Sequence, residues 1–287
     1  MLKKIGAVVL AVTLIVMVLA ACGGGADTNV AQPPAQETPN QGSDVVDTPP
    51  ADNNQGDDAL ALEITTIAFQ SYTDLLESMS GADVAYDIDF TMVMDMSMDD
   101  GFSMSMPTSG NMRMSVDGDT LRTSMTMDMG MGMGVLEFYM EMVGNEVTFV
   151  QQSIDGVEVD FFSSEDMLEI LNSSINMPDV DFNAIVSAEI EEAGGQTIIN
   201  MVFDGHAISD FALASVADQL GDLGVDMDMQ LEDMPFTIVK DSAGNPVSMS
   251  MYMNMTLEAE GEAFTMSITS EFVFNAFGSG VVIEMPV

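Results

Sequence analysis

The chain of 287 residues contains one cysteine, one histidine and no tryptophan. Because the cysteine is Cys22, close to the amino terminus, the rest of the chain has no thiol for a disulfide, a thiolate metal ligand or a nucleophile. His206 has no second imidazole to work with, and its Asp204-Gly205-His206 context indicates a surface turn at the end of a strand. The sequence therefore predicts a protein that is not an enzyme, with no catalytic residues, no bound metal and no cofactor.

Basic residues are also scarce. Five Lys and Arg stand against 47 Asp and Glu, which gives a formal net charge of −42. Only Arg113, Arg122 and Lys240 follow Cys22, whereas all the acidic residues do. Nucleic acid is excluded as a partner, because binding it requires basic side chains that displace counterions from phosphates. The same charge repels anionic lipid headgroups and keeps an otherwise hydrophobic chain in solution.

A long apolar run occurs only at the amino terminus, from Ile5 to Leu19 after Lys3-Lys4. At about 15 residues it is shorter than the roughly 20 of a transmembrane helix, and it ends in Leu19-Ala20-Ala21-Cys22. This pattern predicts a lipoprotein signal peptide over residues 1–21 and a diacylglycerol thioether on Cys22. The alternative is an ordinary signal peptide cut nearby, with the cysteine present by chance. We expect a protein on the extracytoplasmic face of the cell membrane, held there by its lipid, on a Gram-positive surface.

Residues 22–58 are rich in Pro, Gln, Asn, Asp and Gly and have almost no large apolar side chains. Such a composition is typical of a disordered tether. At about 3 Å per residue its greatest reach is on the order of 100 Å. The predicted tether would let a repelled, acidic domain stand above its membrane.

The folded domain is predicted over residues 59–287, and its hydrophobic period changes along the chain. Apolar residues first recur at helical spacing from Leu60 to Met79, with Asp57-Asp58 as the expected cap. From Val84 to Met98 they instead occupy alternate positions, which indicates a strand with one wet face. Similar alternation and turn signals predict further strands over 112–116, 121–129, 136–142, 185–203, 236–240, 247–258 and 262–274, and helices near 163–171 and 209–220. The order favours an α+β fold, a curved antiparallel sheet with helices packed on its concave face.

Two stretches resemble the LolA and LppX group of lipid-binding lipoproteins, and more closely Gram-positive lipoproteins of unassigned activity. They are Leu75-Leu76-Glu77-Ser78-Met79 with Val84-Ala85-Tyr86, and Phe274-Asn275-Ala276-Phe277-Gly278 with Val282-Ile283-Glu284-Met285-Pro286. The resemblance covers about residues 60 to 286 in pattern. It implies a half-open β-barrel whose concave apolar side holds acyl chains, and it supplies no catalytic residues. The chain departs from the family in having methionine at many of its usual Val, Leu and Tyr positions.

The sequence therefore predicts a non-catalytic lipoprotein that binds or shuttles a hydrophobic ligand, a lipid or an acyl chain, in an apolar concavity. Unbranched methionine suits this role because it repacks around chains of different shape. The expected lining residues are Phe90, Met92, Met94, Met114, Met125, Met127, Phe138, Met140, Met251 and Met253. An alternative is a structural, sensor or interaction lipoprotein whose core is filled by its own side chains. No protein partner is indicated by the sequence.

Two metal hypotheses remain as lesser alternatives. Thirty methionines, many as Met-x-Met, invite Cu(I) binding, with the Met127–Met133 segment as the best candidate. Calcium could use the oxygen clusters Asp95, Asp99 and Asp100, or Asp226, Asp228, Glu232 and Asp233, although neither fits an EF-hand loop. Core packing explains the methionines, and exposed strand faces explain the carboxylates, without a metal.

Overall fold

The computed structural model describes residues 55–80, 85–98, 101–144, 146–159, 182–209, 227–259, 262–278, 281–284 and 286. The predicted signal peptide, Cys22 and nearly all of the tether lie outside these residues. So do the predicted helix near 163–171, most of the helix predicted over 209–220, and Asp99, Asp100 and Asp226 of the calcium hypothesis.

Helix α1 spans Gln55–Ser80. It begins two residues before Asp57, so the helix starts earlier than the predicted cap at Asp57-Asp58. Its stripe of Ala68, Tyr72, Leu75 and Met79 is buried, as the helical spacing predicts. Leu60 and Leu62, which precede this stripe, are exposed.

In the described residues, twelve antiparallel strands form one sheet. They are β1 (Ala85–Met98), β2 (Ser103–Asp117), β3 (Thr120–Asp128), β4 (Val135–Val143), β5 (Glu146–Ile154), β6 (Val157–Glu158), β7 (Ile185–Ala193), β8 (Gln196–Phe203), β9 (Met227–Leu231), β10 (Met234–Lys240), β11 (Pro246–Ala259) and β12 (Glu262–Phe277). Their order is β6-β5-β4-β3-β2-β1-β12-β11-β10-β8-β7, and β9 pairs with β11 beside this path. Since β6 and β7 end the order without pairing to each other among the described residues, the sheet is not closed.

The two faces of the sheet differ in polarity along every long strand. In β1, Tyr86 and the following even-numbered residues to Met96 are buried, whereas Asp89, Thr91, Asp95 and Ser97 are exposed. Antiparallel pairing puts register partners on the same face, so the apolar side of β1 continues across the sheet. We call this side, from Phe138 and Met140 of β4 to Ile199 and Met201 of β8, the methionine face. The opposite side is the wet face.

Helix α1 contacts the methionine face near one end of the sheet. The ring of Tyr72 lies 5.3 Å from that of Phe203 in β8 and 5.5 Å from that of Phe236 in β10. Phe69 makes a further edge contact, at 5.5 Å, with Phe182, which begins the short 3-10 helix Phe182–Ala184. The first predicted helix thus joins the core through its buried stripe.

Three elements differ from the sequence prediction. Strand β2 begins at Ser103 and not at Met112, and it accommodates Pro107 because β3 ends opposite Ser109, which leaves β2 without that neighbour at Pro107. Strand β9 was not predicted. A helix begins at Gly205, before the predicted Ser209, where the Asp204 carboxylate accepts hydrogen bonds from the backbone N–H groups of His206 (2.8 Å) and Ala207 (3.4 Å).

Candidate ligand-binding site

All ten predicted lining residues lie on the methionine face. Phe90, Met92 and Met94 come from β1, and the others from β2 (Met114), β3 (Met125, Met127), β4 (Phe138, Met140) and β11 (Met251, Met253). Register pairs such as Met125 with Phe138 and Met127 with Leu136 show that these strands turn the same sides to the core. The period of two in the sequence therefore placed the ten side chains on one surface.

Eight of the ten are already covered by the folded chain. Phe90, Met92, Met94, Met127, Phe138, Met140, Met251 and Met253 expose between 2% and 8% of their surface. Met114 and Met125 are half-buried. The ten residues consequently form part of the hydrophobic core as well as a candidate lining.

Strand β12 supplies core residues that the predicted lining set omits. It lies between β1 and β11, so Met266, Ile268 and Phe272 separate the β1 methionines from those of β11. All three are buried, and the Phe90 and Phe272 rings lie 6.4 Å apart. Their alternation in the sequence was visible, but their place between the two predicted strands is set by topology.

Ser270 is the polar exception in this row of β12. It is 1% exposed and pairs in register with Met92 on one side and Met251 on the other. No described residue provides a hydrogen-bond partner for its Oγ. A second hydroxyl residue, Thr108 of β2, pairs with the other side of Met92. The centre of the methionine face thus holds one buried, unpartnered hydroxyl among thioethers.

Gly110 shapes the face beside Phe90. The two residues are register partners, and a Cβ atom added to Gly110 would lie 2.8 Å from Cζ of Phe90 and 2.1 Å from the Thr126 carbonyl oxygen. The Phe90 ring therefore occupies space that a side chain at position 110 would need. A glycine inside a strand permits this close approach of a side chain from the neighbouring strand.

A depression of about 330 Å³ lies on the wet face and not among the predicted lining residues. Its walls carry hydroxyl, amide, phenol and carboxylate groups, and its residues are Asp95, Met96, Ser97, Ser103, Met104, Ser105, Tyr252, Asn254, Thr265 and Ser267. This lining suits water and polar solutes and not an acyl chain.

Hydrogen bonds between side chains link neighbouring strands at the other end of the wet face. Asn111 Nδ2 donates to Oδ1 of Asp87 (2.6 Å) and of Asp89 (2.9 Å), and Arg113 Nε donates to Oδ2 of Asp87 at 2.9 Å. The amides of Asn275 and Asn111 lower the pKa of Asp89, because they stabilise its charged form. Arg122 similarly donates to Oε2 of Glu141 at 2.9 Å. Both arginines thus neutralise carboxylates of the wet face.

The copper candidate Met127–Met133 does not gather its sulfurs in one place. Met127 is buried and Met129 packs against the core, whereas Met131 and Met133 are 64% and 50% exposed on the β3–β4 loop. Gly130, Gly132 and Gly134, together with Met131, have positive φ and form this tight loop. The alternating sequence therefore divides its thioethers between core and solvent.

The described acidic residues do not assemble a calcium site. In the described part of the chain, no three Asp, Glu, His or Cys side chains come together as a metal site. Asp233 instead accepts a hydrogen bond from the Gly205 backbone N–H at 3.2 Å. His206 is exposed in the first turn of its helix. None of the described helices has the length and apolarity needed to cross a membrane.

No protein-family model and no curated protein sequence matches the chain. Among solved structures, the ywiB protein from Bacillus subtilis is 12% identical with a TM-score of 0.19, over 65% of this chain and 92% of that one. A LolA superfamily protein from Nitrosomonas europaea is 10% identical with a TM-score of 0.21, over 78% and 94%. An N-terminal dehydratase from the difficidin assembly line is 8% identical with a TM-score of 0.17, over 73% and 84%. The structural neighbours thus include a LolA superfamily protein, at a TM-score of 0.21.

Proposed function

We propose that the protein is a non-catalytic, lipid-anchored lipoprotein that binds or shuttles a hydrophobic ligand on the methionine face. The observation that carries the proposal is the extent of this face: mostly apolar register partners run from Phe138 and Met140 in β4 to Ile199 and Met201 in β8. Because the sheet is not closed, its end strands can move apart to admit an acyl chain. An acyl chain would then replace contacts that the side chains make with one another.

Methionine supports this function better than a branched apolar residue does. The thioether chain has three rotatable bonds and fills irregular spaces with little strain. Of the predicted lining, Met92, Met94, Met251 and Met253 lie around the central strand β12. Binding surfaces that accept ligands of several shapes use methionine in this way.

The amino-terminal sequence supports the proposed location. The signal pattern that ends at Cys22 directs export, and the lipid on Cys22 holds the protein at the extracytoplasmic face of its membrane. The 47 acidic residues repel anionic headgroups, so the domain works above the lipid surface on its tether.

The test begins with the full-length protein purified from its own membrane. Native mass spectrometry is expected to show co-bound lipid, and a delipidated sample should take up a fluorescent fatty acid. Replacing Met94 and Met253 together by Leu conserves volume but adds branching, so stability should change by less than about 3 kcal/mol in total. The double variant should bind a narrower range of fatty-acid chain lengths than the wild type does.

The matched control replaces Met131 and Met133, which are exposed on the β3–β4 loop, by Leu. Chain-length tolerance should not change in this control. Absence of co-bound lipid together with absence of fatty-acid uptake would remove the proposal.

Burial of the face favours a second candidate, an interaction or sensor lipoprotein with a filled core. Eight of the ten predicted lining residues are no more than 8% exposed. The depression of about 330 Å³ is on the wet face. If this candidate is right, the wild-type protein neither carries lipid nor takes up fatty acid. The Met94 and Met253 replacements then leave the set of proteins that bind it unchanged.

A further inference from the structure

Ser270 occupies the centre of the methionine face. Its strand, β12, has β1 on one side and β11 on the other, and position 270 is near the middle of all three. Five predicted lining residues surround it: Met92 and Met251 in direct register, and Phe90, Met94 and Met253 one step along the neighbouring strands. A hydroxyl therefore lies among five apolar side chains of the predicted lining.

In the described part of the chain, this hydroxyl gains no hydrogen bond from the fold. Its residue is 1% exposed, and its Oγ has no partner among the described residues. Burying a hydroxyl without a hydrogen bond is unfavourable, and alanine at this position would avoid the loss. Other hydroxyls of the structure do have partners, such as Ser153, whose Oγ donates to Glu137 Oε2 at 3.0 Å.

We propose that Ser270 is the residue that recognises an uncharged polar group, an ester or amide carbonyl or a hydroxyl, in the middle of the hydrophobic ligand's binding path. This inference rests on the proposed function and adds the chemical class of the ligand. The ligand is an acyl compound with one neutral hydrogen-bonding group, and Ser270 Oγ donates to its carbonyl or accepts from its hydroxyl.

Electrostatics favours a neutral group over a carboxylate. The cations that follow Cys22 are only three, and none is near Ser270 in the register: Arg113 and Arg122 pair with Asp87 and Glu141 on the wet face. Lys240 is at the end of β10, four residues beyond Phe236, which is the β10 partner of Met251. A carboxylate at Ser270 would be buried without a counter-charge, in a protein of net charge −42.

The surrounding side chains allow a ligand to reach this hydroxyl. Met92 and Met251 cover Ser270 from its two register positions, and both are unbranched. Their thioether chains have three rotatable bonds each, so in this proposal a change of their rotamers is the step that opens space at position 270. Thr108, on the far side of Met92 and about 10 Å from Ser270 across two strand spacings, provides another hydroxyl on the same row.

The test uses the full-length protein and a neutral fluorescent probe, N-phenyl-1-naphthylamine, displaced by dodecane, methyl laurate or laurate. Wild type should bind methyl laurate about tenfold more tightly than dodecane, since one hydrogen bond in a dry site has this effect. Laurate should bind more weakly than its methyl ester near neutral pH. In Ser270→Ala the preference for the ester should disappear while dodecane binding stays the same.

Thr269→Ala is the matched control, because Thr269 is the preceding residue and is exposed on the wet face. Its binding should equal that of wild type. A preference for the ester that persists in Ser270→Ala, or an equal loss of dodecane and ester, overturns the role of Ser270. Wild type that binds probe and dodecane without preferring the ester overturns this inference but leaves the proposed function. Wild type that binds neither probe nor competitor overturns both.

Discussion

Gly110 shows how one residue sets the shape of the methionine face. The site of its missing Cβ is filled by the Thr126 carbonyl oxygen and by the Phe90 ring. The carbonyl belongs to the neighbouring strand and cannot move without disturbing the β2–β3 pairing. Small and large residues in register thus bring two strands and an aromatic ring into close contact.

Gly110→Ala should destabilise the protein by about 1 to 3 kcal/mol, because the added methyl group overpacks this contact. Urea unfolding followed by circular dichroism measures the change. Ser109→Ala is the control, since Ser109 is the preceding residue and is exposed, and it should stay within about 0.5 kcal/mol of wild type. Equal stability of Gly110→Ala and wild type would show that the strands separate easily here.

The ionisation of Asp89, on the wet face, makes the stability of the protein depend on pH. Its pKa lies below the ordinary value of 3.8, first because of the Asn275 amide and then because of Asn111. A lowered folded-state pKa means that the stabilisation is present above the unfolded-state pKa and is lost as pH falls through the folded-state pKa. The pH range in which this stabilisation is lost therefore lies below pH 3.8.

Asn275→Ala removes the amide that lowers the pKa of Asp89 and also its 3.4 Å hydrogen bond to Asp87 Oδ1, so it should lower stability near neutral pH. Its effect should be smaller once Asp89 is protonated in both states. Unfolding curves at about pH 7 and about pH 2 give the two differences, with Thr269→Ala on the same strand as the control. A deficit of the same size at both pH values would mean that Asn275 acts independently of the Asp89 charge.

At the scale of elements, local alternation predicts a strand and its wet side, but it does not predict the strand's neighbours. From Tyr86 to Ser97 the pattern of the sequence matches the buried and exposed positions of β1. The first half of β2 was missed because Pro107 interrupts its pattern as a strand breaker would. It is tolerated there because β3 stops short of it.

The candidate site was predictable to the same extent. The period of two places all ten predicted lining residues on one face of the sheet, whereas the insertion of β12 between β1 and β11 depends on pairing between distant segments. Ser270 could have been noticed as the polar member of the alternating series Met266, Ile268, Ser270, Phe272. Its burial without a partner is visible only in three dimensions.

The ends of the sheet carry features that discourage further pairing. Strand β6 has only two residues. Strand β7 exposes Glu189, Glu191 and Glu192 along its length. Short edges and repeated charges prevent another strand from adding to a sheet that is not closed.

Helix α1 should contribute to stability through its second half. Tyr72 is 9% exposed and its ring contacts Phe203 and Phe236, whereas Leu62 is 60% exposed. Tyr72→Ala should therefore cost about 3 kcal/mol or more, and Leu62→Ala less than about 0.5 kcal/mol. Chemical unfolding of the two variants makes the comparison. Similar losses in both would mean that the exposed turns also pack against something.

For the whole molecule, one sheet separates two kinds of chemistry. The methionine face holds the core and the candidate ligand path, and the wet face holds paired arginines, amides and carboxylates. Acidic residues outnumber basic ones by 47 to 5 over the chain, so two copies of the protein repel each other, and each copy repels other anions. An acidic domain near an anionic membrane needs an anchor that does not depend on charge.

The predicted anchor is Cys22, the one thiol in the chain. Cys22→Ser removes the sulfur that would carry the diacylglycerol, so the variant should be lost from membrane fractions in which the wild type is retained. Mass spectrometry of the wild-type amino-terminal peptide should show that it begins at residue 22 with a diacylglycerol adduct, which Cys22→Ser cannot form. Met131→Leu, a change in an exposed loop of the domain, should leave retention intact. Because repulsion by the acidic domain opposes non-specific adsorption, membrane retention of Cys22→Ser equal to that of wild type, with no adduct on the wild-type peptide, would mean that an uncleaved signal or a protein partner holds the chain.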